Sequence, residues 1–400
     1  MLVKMRYLNI LSYGIFLYLA AHVILNVFNS QITGWSLSEL LINYQGGFVR
    51  RGLIGEVLFQ SDNPLALAHN IQRFFVAGFL CSVLIVLILE KDILTKFLLL
   101  VLVTFTSGGV FDLVLGGGFE YLDRKEIWFY SVLGLILVST RAFGFYNLKN
   151  ILIINFLSIL MTLHHELYAV FTLPLMLLIV ILSGTGYLFK SIALIVPTLI
   201  TLLLVINYSG DHSIASLIKE SYSLKFGIDV GGAVDAVGWS YEFSHNLSRR
   251  MITEGSLRYW LYHLVVNLVF LTIFAIYKGK TVRDLFIYMA IIFIVLSATI
   301  FAMFAGWDWG RWISMFAFIS IFFIYIASSV LSNIVHIKFF KTQNNEISDR
   351  LRMQIASVML LCLLVGLNTN VRMGHCCTKP NNLEFVQSAK LKGLVYWYGK

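Results

Sequence analysis

The chain reads as an all-α, polytopic integral membrane protein. Three observations carry that reading. Hydrophobic residues make up 58% of the 400 residues and charged residues only 13%. Window after window holds the roughly 17–25 apolar residues that cross a bilayer. So much apolar surface exceeds what one water-soluble core can hide. Inside lipid every backbone polar group needs an internal partner, so long apolar runs mean helices. An outer-membrane barrel would show alternating segments of ~10 residues, and this sequence does not.

About eleven spans are predicted. They lie near residues 8–28, 71–90, 97–113, 126–140, 150–164, 168–183, 191–207, 259–277, 285–304, 312–331 and 353–368. The first lacks a small-x-small cleavage site at its end and is expected to be retained rather than removed as a signal peptide. Lys4 and Arg6 precede it. Alternate loops then carry Lys91 and Lys96, Arg141 and Lys149, Lys190, and Lys278, Lys280 and Arg283. A later loop carries Lys338, Lys341, Arg350 and Arg352. The positive-inside rule makes this side the cytoplasm, with the N-terminus inside and the C-terminus outside.

That topology leaves one transmembrane domain, residues 1–400, with long extracytoplasmic segments near 29–70, 208–258 and 369–400. Of the basic residues behind the net charge of +9, the inner ones are this topology signal, whereas the outer side also holds many Lys and Arg that the positive-inside rule does not require. The net charge does not indicate nucleic-acid binding, because no basic run is interleaved with aromatic residues on a soluble domain. The four cysteines show no metal-ligand spacing. Cys81 and Cys362 fall in apolar spans and read as packing residues. Cys376 and Cys377 lie on the oxidising side, where neighbours rarely bridge each other, and their state stays open.

Four polar clusters close apolar spans, all on the predicted outer face. In QGGFVRRG, Gly46 and Gly47 permit unusual backbone angles and close ligand approach. Arg50 and Arg51 beside a membrane are expensive without a partner. Their guanidinium forks suit phosphate or pyrophosphate, although arginines also snorkel to lipid headgroups. In GGGFEYLDRKEIW, Asp123 and Glu126 fit a capping box for the next helix. That does not account for Arg124 and Lys125, since cations oppose the dipole at a helix N-terminus unless an anion sits there.

LHHELY has the wrong spacing for HExxH, and a helix points adjacent histidines about 100° apart, so no metal is expected. His165 or Glu166 is a candidate general base or substrate ligand. The structural alternative is a satisfied buried histidine with Glu166 paired to an arginine. In GWDWGRW, Asp308 and Arg311 are spaced for a local ion pair. Trp307, Trp309 and Trp312 suit an interfacial aromatic belt and equally suit stacking on sugar faces. The predicted inner loops show Lys/Arg punctuation without such acid-plus-arginine groupings.

These motifs and the span layout resemble bacterial O-antigen and capsule repeat-unit polymerases. They also resemble the broader polytopic membrane glycosyltransferases, in which a GGFVRRG-like segment follows the first span. The resemblance covers the whole chain in layout and short motifs in sequence. It implies that outer-loop arginines hold a lipid-linked pyrophosphate, which points to Arg50, Arg51, Arg249, Arg250 and Arg311. C-type membrane glycosyltransferases usually carry an acidic motif in the first outer loop. This chain has only Glu39 and Glu56 there, with Asp123 as a substitute from the second outer loop.

The expected function is glycosyl transfer on the outer face of a bacterial inner membrane. The substrate would be a polyprenyl-pyrophosphate-linked glycan, polymerised without metal or other cofactor. Glu166, Asp123 or His165 would serve as base. The cationic residues above, with Lys125, Asp308, Trp307 and Trp309, would bind the substrate. Membrane lipid, a chain-length regulator and a flippase are the expected partners. A near alternative is a C-type-like transferase that decorates a surface glycan from a polyprenyl-phosphate sugar. An alternative of another class is a flippase for lipid-linked glycans. A transporter would place its polar groups near the midplane in two matching halves, which this sequence lacks.

Overall fold

A computed structural model describes residues 2–29, 32, 34–92, 95–96, 99–100, 124–183, 187–240, 242–243, 245–246, 249, 256–279, 281–305 and 309–331. Among these residues every regular element is helical. The helices are α1 (Leu2–Asn29), α2 (Gly34–Leu40), α3 (Gly52–Phe59), α4 (Pro64–Leu89), α5 (Glu126–Phe143) and α6 (Leu148–His164). They continue as α7 (Leu167–Ser183), α8 (Leu188–Asn207), α9 (His212–Phe226), α10 (Ser256–Lys278), α11 (Val282–Ala305) and α12 (Trp309–Leu331).

Five of these, α4, α5, α8, α11 and α12, are long and apolar enough to cross a membrane. Shorter apolar helices run over Ile10–Leu25, Leu148–His164, Leu167–Ser183 and Leu264–Lys278. The spans predicted near 97–113 and 353–368 fall almost wholly outside the described residues, as do the tail 369–400 and the basic loop before it.

Local chemistry sets the helix ends. Asn63 caps α4, accepting the Ala66 N–H, with Pro64 in the first turn, where its missing N–H costs nothing. Asn147 caps α6 and Asp211 caps α9 in the same way. Within the apolar helices, hydroxyls donate to the carbonyl one turn back: Ser82 to Gly78, Thr162 to Ser158, Thr172 to Tyr168 and Thr299 to Val295. Each of these four hydroxyl hydrogens thereby has an acceptor within its own helix.

Helix α12 is the axis of the bundle. Of its apolar window 89% is buried, against 28% for α8, which lies at the periphery. Around α12 pack α5, α10 and α11, while α4 pairs with α5. The Phe79–Phe318–Tyr130 ring cluster joins α4, α12 and α5. Cys81 is exposed on the flank of α4 and does not pack inward as the sequence suggested.

At one end of the bundle, α2 and α3 meet α9. The Tyr222 hydroxyl donates to the Gly55 carbonyl, Asn43 Nδ2 donates to Ser221 Oγ, and the Ala233 N–H donates to Ser38 Oγ. Trp35 and Trp239 lie 5.7 Å apart. Two segments distant in sequence thus form one cap over the helix ends. The same end collects the polar termini of α5, α6, α7 and α12.

Candidate functional site

Residues leading into or joining helices, with one helix start, build the cluster beneath this cap. Helices α6 and α7 are joined by His165 and Glu166 alone, so both residues sit at the bundle end. Arg50 and Arg51 lead into α3. Arg124 and Lys125 lead into α5, and Arg311 stands in the first turn of α12.

The turn before α3 is shaped by its glycines. Gly47 has φ 111, open only to glycine, and in α3 a Cβ on Gly55 would meet the Ile42 carbonyl oxygen at 1.8 Å. Gly46 packs on the Ile214 backbone, so its small size serves the cap rather than a ligand.

Arg51 is the sole non-glycine residue with positive φ among those described, at φ 67 and ψ 6. A left-handed backbone costs a side-chain-bearing residue about 1–2 kcal/mol. The compensation is visible in its contacts. Arg51 Nε donates to Glu166 Oε2 at 3.0 Å and Nη2 to Glu166 Oε1, a two-pronged grip on one carboxylate. Arg51 Nη1 also donates to Glu39 Oε1 at 3.4 Å. Arg50 Nη1 reaches the same Glu166 at 3.4 Å.

Glu39, from α2, lies at the centre. Besides Arg51 it faces Arg124 Nη1 at 3.8 Å and His165 Nε2 at 3.9 Å. Lys125 Nζ donates to the His164 carbonyl. Arg311 Nη1 stands 3.0 Å from Glu126 Oε1, so Glu126 serves an ion pair across helices rather than the cap of its own. The N-cap of α5 is Lys125, without a side-chain cap bond.

Burial orders the group by depth. Arg50, Arg51 and Glu166 keep side-chain exposures of 32%, 25% and 15%, so they form the mouth. Glu39, Lys125, His165, Arg124 and Arg311 lie beneath them, all buried. Among the described residues, five cations therefore surround three carboxylates, an excess of two positive charges. His165 adds none. Burial, then Arg51, pushes its imidazole down to about 3. Its Nδ1 accepts the Leu167 N–H, which leaves the ring hydrogen on Nε2, toward Glu39.

Burial alone would raise the Glu39 carboxyl, but Lys125, Arg311 and Arg51 outweigh it and hold the group at about 2. Glu166 is likewise held well below the usual range, burial being overcome by Arg51 and, to a smaller extent, Arg50. Burial brings Lys125 down to about 8 against the pull of Glu39. Glu39 Oε2, Arg124 Nη1 and both Glu126 oxygens are buried without a hydrogen bond among the described residues. Of these, Arg124 Nη1 is a donor with no hydrogen bond, and beside excess positive charge it suits a polar anion.

Of the residues singled out in the sequence, Arg50, Arg51, Arg124, Lys125, His165, Glu166 and Arg311 lie in this one cluster. Asp123, Arg250, Trp307 and Asp308 lie outside the described residues. Arg249 is exposed and makes none of the cluster's contacts. Trp309 does not offer a face to a sugar. It is 1% exposed, with its indole N–H donating to the Met303 carbonyl, and it packs the junction of α11 and α12.

Two features escaped the sequence. Glu39 stood in the sequence only as one of two acids, with Glu56, in the first outer loop; its burial beside Ser36, Ser38 and Leu40 makes it the hub. At the opposite end, Glu90 accepts from both Lys278 Nζ and the Tyr325 hydroxyl, joining α4, α10 and α12. The basic punctuation there thus includes a built ion pair. No metal-binding group of His, Cys, Asp or Glu exists among the described residues. No protein-family model, curated protein or solved structure matches the chain.

Proposed function

We propose that the chain is a membrane glycosyltransferase that polymerises polyprenyl-pyrophosphate-linked oligosaccharide units, with the cluster facing outward from a bacterial inner membrane. The observation that carries this reading is the gathering of five cations around three carboxylates at one end of the bundle. An excess of two charges in a buried site is expensive unless an anion completes it. A pyrophosphate is an anion of suitable charge, and Arg50 and Arg51 stand at the mouth with planar forks that fit it.

In the proposed reaction, the acceptor hydroxyl oxygen attacks C1 of the donor sugar. The C1–O bond to pyrophosphate breaks, and its electron pair leaves with the pyrophosphate. Developing charge on that leaving group is the main cost, and preorganised guanidinium groups lower it. The hydroxyl proton passes to a carboxylate. Glu166 is a weak base while Arg50 and Arg51 hold it. An incoming pyrophosphate competes for those arginines and thereby frees Glu166 where the proton must be taken. Substrate binding and base activation become one event.

A second reading has its own support. C-type transferases place an acid in the first outer loop, and Glu39, from that segment, is the hub of the cluster. Under that reading the donor is a polyprenyl-phosphate sugar and the product a decorated glycan.

The surface polysaccharide of a deletion strain tests both. One repeat unit per lipid anchor, restored to long chains by the wild-type gene, is expected for a polymerase. Full-length chains lacking a side sugar would replace the first reading with the second. An unchanged profile would remove both.

A further inference from the structure

The sugar-stacking role that Trp309 cannot fill has another candidate at the mouth of the cluster. We propose that Tyr44, Phe48 and Tyr208 form a platform that docks a pyranose ring of the glycan, beside the arginine pair. The proposal rests on reading the cluster as the site for the glycan's phosphate end.

Phe48 and Tyr208 are 39% and 51% exposed, although each has aromatic partners at hand. The Phe48 ring stacks on Tyr44, centroids 5.2 Å apart at 27°, and meets Tyr208 edge-on at 5.3 Å and 89°. Rings that brace one another lose little freedom on binding, so the platform is set before a ligand arrives. A pyranose offers just such a surface a patch of C–H groups edged by hydroxyls.

The polar edge that those hydroxyls need is also present. Glu56 Oε2 accepts the Tyr44 N–H at 3.0 Å, and Gln45 Nε2 donates to both Glu56 oxygens at 3.2 Å. Gln60 Nε2 donates to Glu56 Oε1 at 2.8 Å. Gln45 and Gln60 are exposed. A carboxylate and two amides are thus anchored to the Tyr44 backbone, and each can trade an internal hydrogen bond for one to a hydroxyl.

Continuity with the cluster fixes which ligand the platform serves. The Arg50 backbone N–H donates to the Tyr208 carbonyl at 2.8 Å, joining the platform's main chain to that of the arginine at the mouth. A sugar on the rings is then next to the phosphate that Arg50 and Arg51 would hold. The competing occupant is the bilayer interface, which also takes tyrosine and phenylalanine. The Gln45–Glu56–Gln60 network on the same patch favours the hydrated glycan over lipid.

The test uses the full chain in nanodiscs with a trifluoromethyl-phenylalanine at position 48. The probe is the phosphate-free oligosaccharide cut from the host's own surface polysaccharide. We expect a saturable shift of the fluorine resonance. In the unlabelled chain, Phe48→Ala and Tyr208→Ala should weaken binding of the same oligosaccharide by about tenfold or more, as loss of an aromatic contact does. Phe48→Tyr, which keeps the ring, should retain the affinity.

Arg51→Lys should leave this neutral ligand's affinity within about twofold, since no phosphate is involved. No shift at saturating oligosaccharide, or equal affinity in both alanine variants, overturns the platform. Broadening of the resonance by spin-labelled lipid without any oligosaccharide shift assigns the rings to the bilayer and also overturns it. Inorganic pyrophosphate binding by the wild type, lost in Arg51→Lys, tests the underlying reading separately and survives failure of the platform.

Discussion

Arg51 shows how far a single residue is committed to its partners. It holds a backbone conformation that glycine would adopt freely, and it spends three nitrogen donors on Glu166 and Glu39. Lysine at this position would keep a charge but lose the fork. If Arg51 and Arg311 bind a pyrophosphate, Arg51→Lys and Arg311→Lys should keep expression and membrane insertion yet lose most polymer formation, and alanine should do no better. Normal polysaccharide chain length in both lysine variants would leave these residues only their ion pairs with Glu166, Glu39 and Glu126.

Lys125 offers a titration test, because burial brings its amine down to about 8. Below that value it is charged and the cluster carries its full positive excess; above it one charge is lost. Affinity for sulfate, whose own charge is constant over the range, should therefore fall between pH 7 and pH 9. Lys125→Met should bind sulfate weakly and without that pH step. A step that persists in the variant would assign the titration to another group.

Elements differ in what they contribute. Helix α3 carries the arginine pair because it lies against the 41–44 segment at a distance only Gly55 permits. Gly55→Ala should force α3 away and loosen the cap that α9 closes through the Tyr222–Gly55 bond. Faster protease cleavage within residues 34–60 is the expected sign, with the bundle helices still protected. At the other end, Glu90 holds α4, α10 and α12 together through Lys278 and Tyr325.

Removing one partner of a buried pair leaves the other charge stranded. Lys278→Met should therefore cost about 3 kcal/mol, at the low end of the range because Lys278 is partly exposed. Thermal melting in detergent should show the loss, and adding Glu90→Gln to the same chain should recover most of it. Equal melting temperatures for all three proteins would show that the pair contributes little.

On the scale of the molecule, the two polar clusters lie at opposite ends of one bundle, and the proposed function needs the arginine-rich end outside. In a background free of native cysteines, a cysteine at exposed Ser223 should react with an impermeant reagent added to intact spheroplasts. One at exposed Val282 should react only after permeabilisation. The reverse pattern would turn the cluster toward the cytoplasm and end the proposal for extracytoplasmic chemistry.

Hydropathy by itself determined the helical class and the position of most helices, because the apolar length that fills a bilayer is a local property of the chain. It also marked QGGFVRRG, DRKE, HHE and GRW as polar groups at helix ends, since charge beside an apolar span is locally conspicuous. What it left open was pairing. Asp308, the nearest acid to Arg311 in sequence, lies outside the described residues; among those described, Glu126 stands across from Arg311, a pairing between distant segments that only helix packing reveals.

Glu39 was one of two acids in the first outer loop until the fold of α2 buried it among four cations and a histidine. Trp309 looked like a surface aromatic until the α11–α12 junction enclosed it. Partner choice and burial depend on residues tens to hundreds of positions apart being brought together. Only the tertiary structure carries that information, because a charge or a ring acquires its role from what surrounds it.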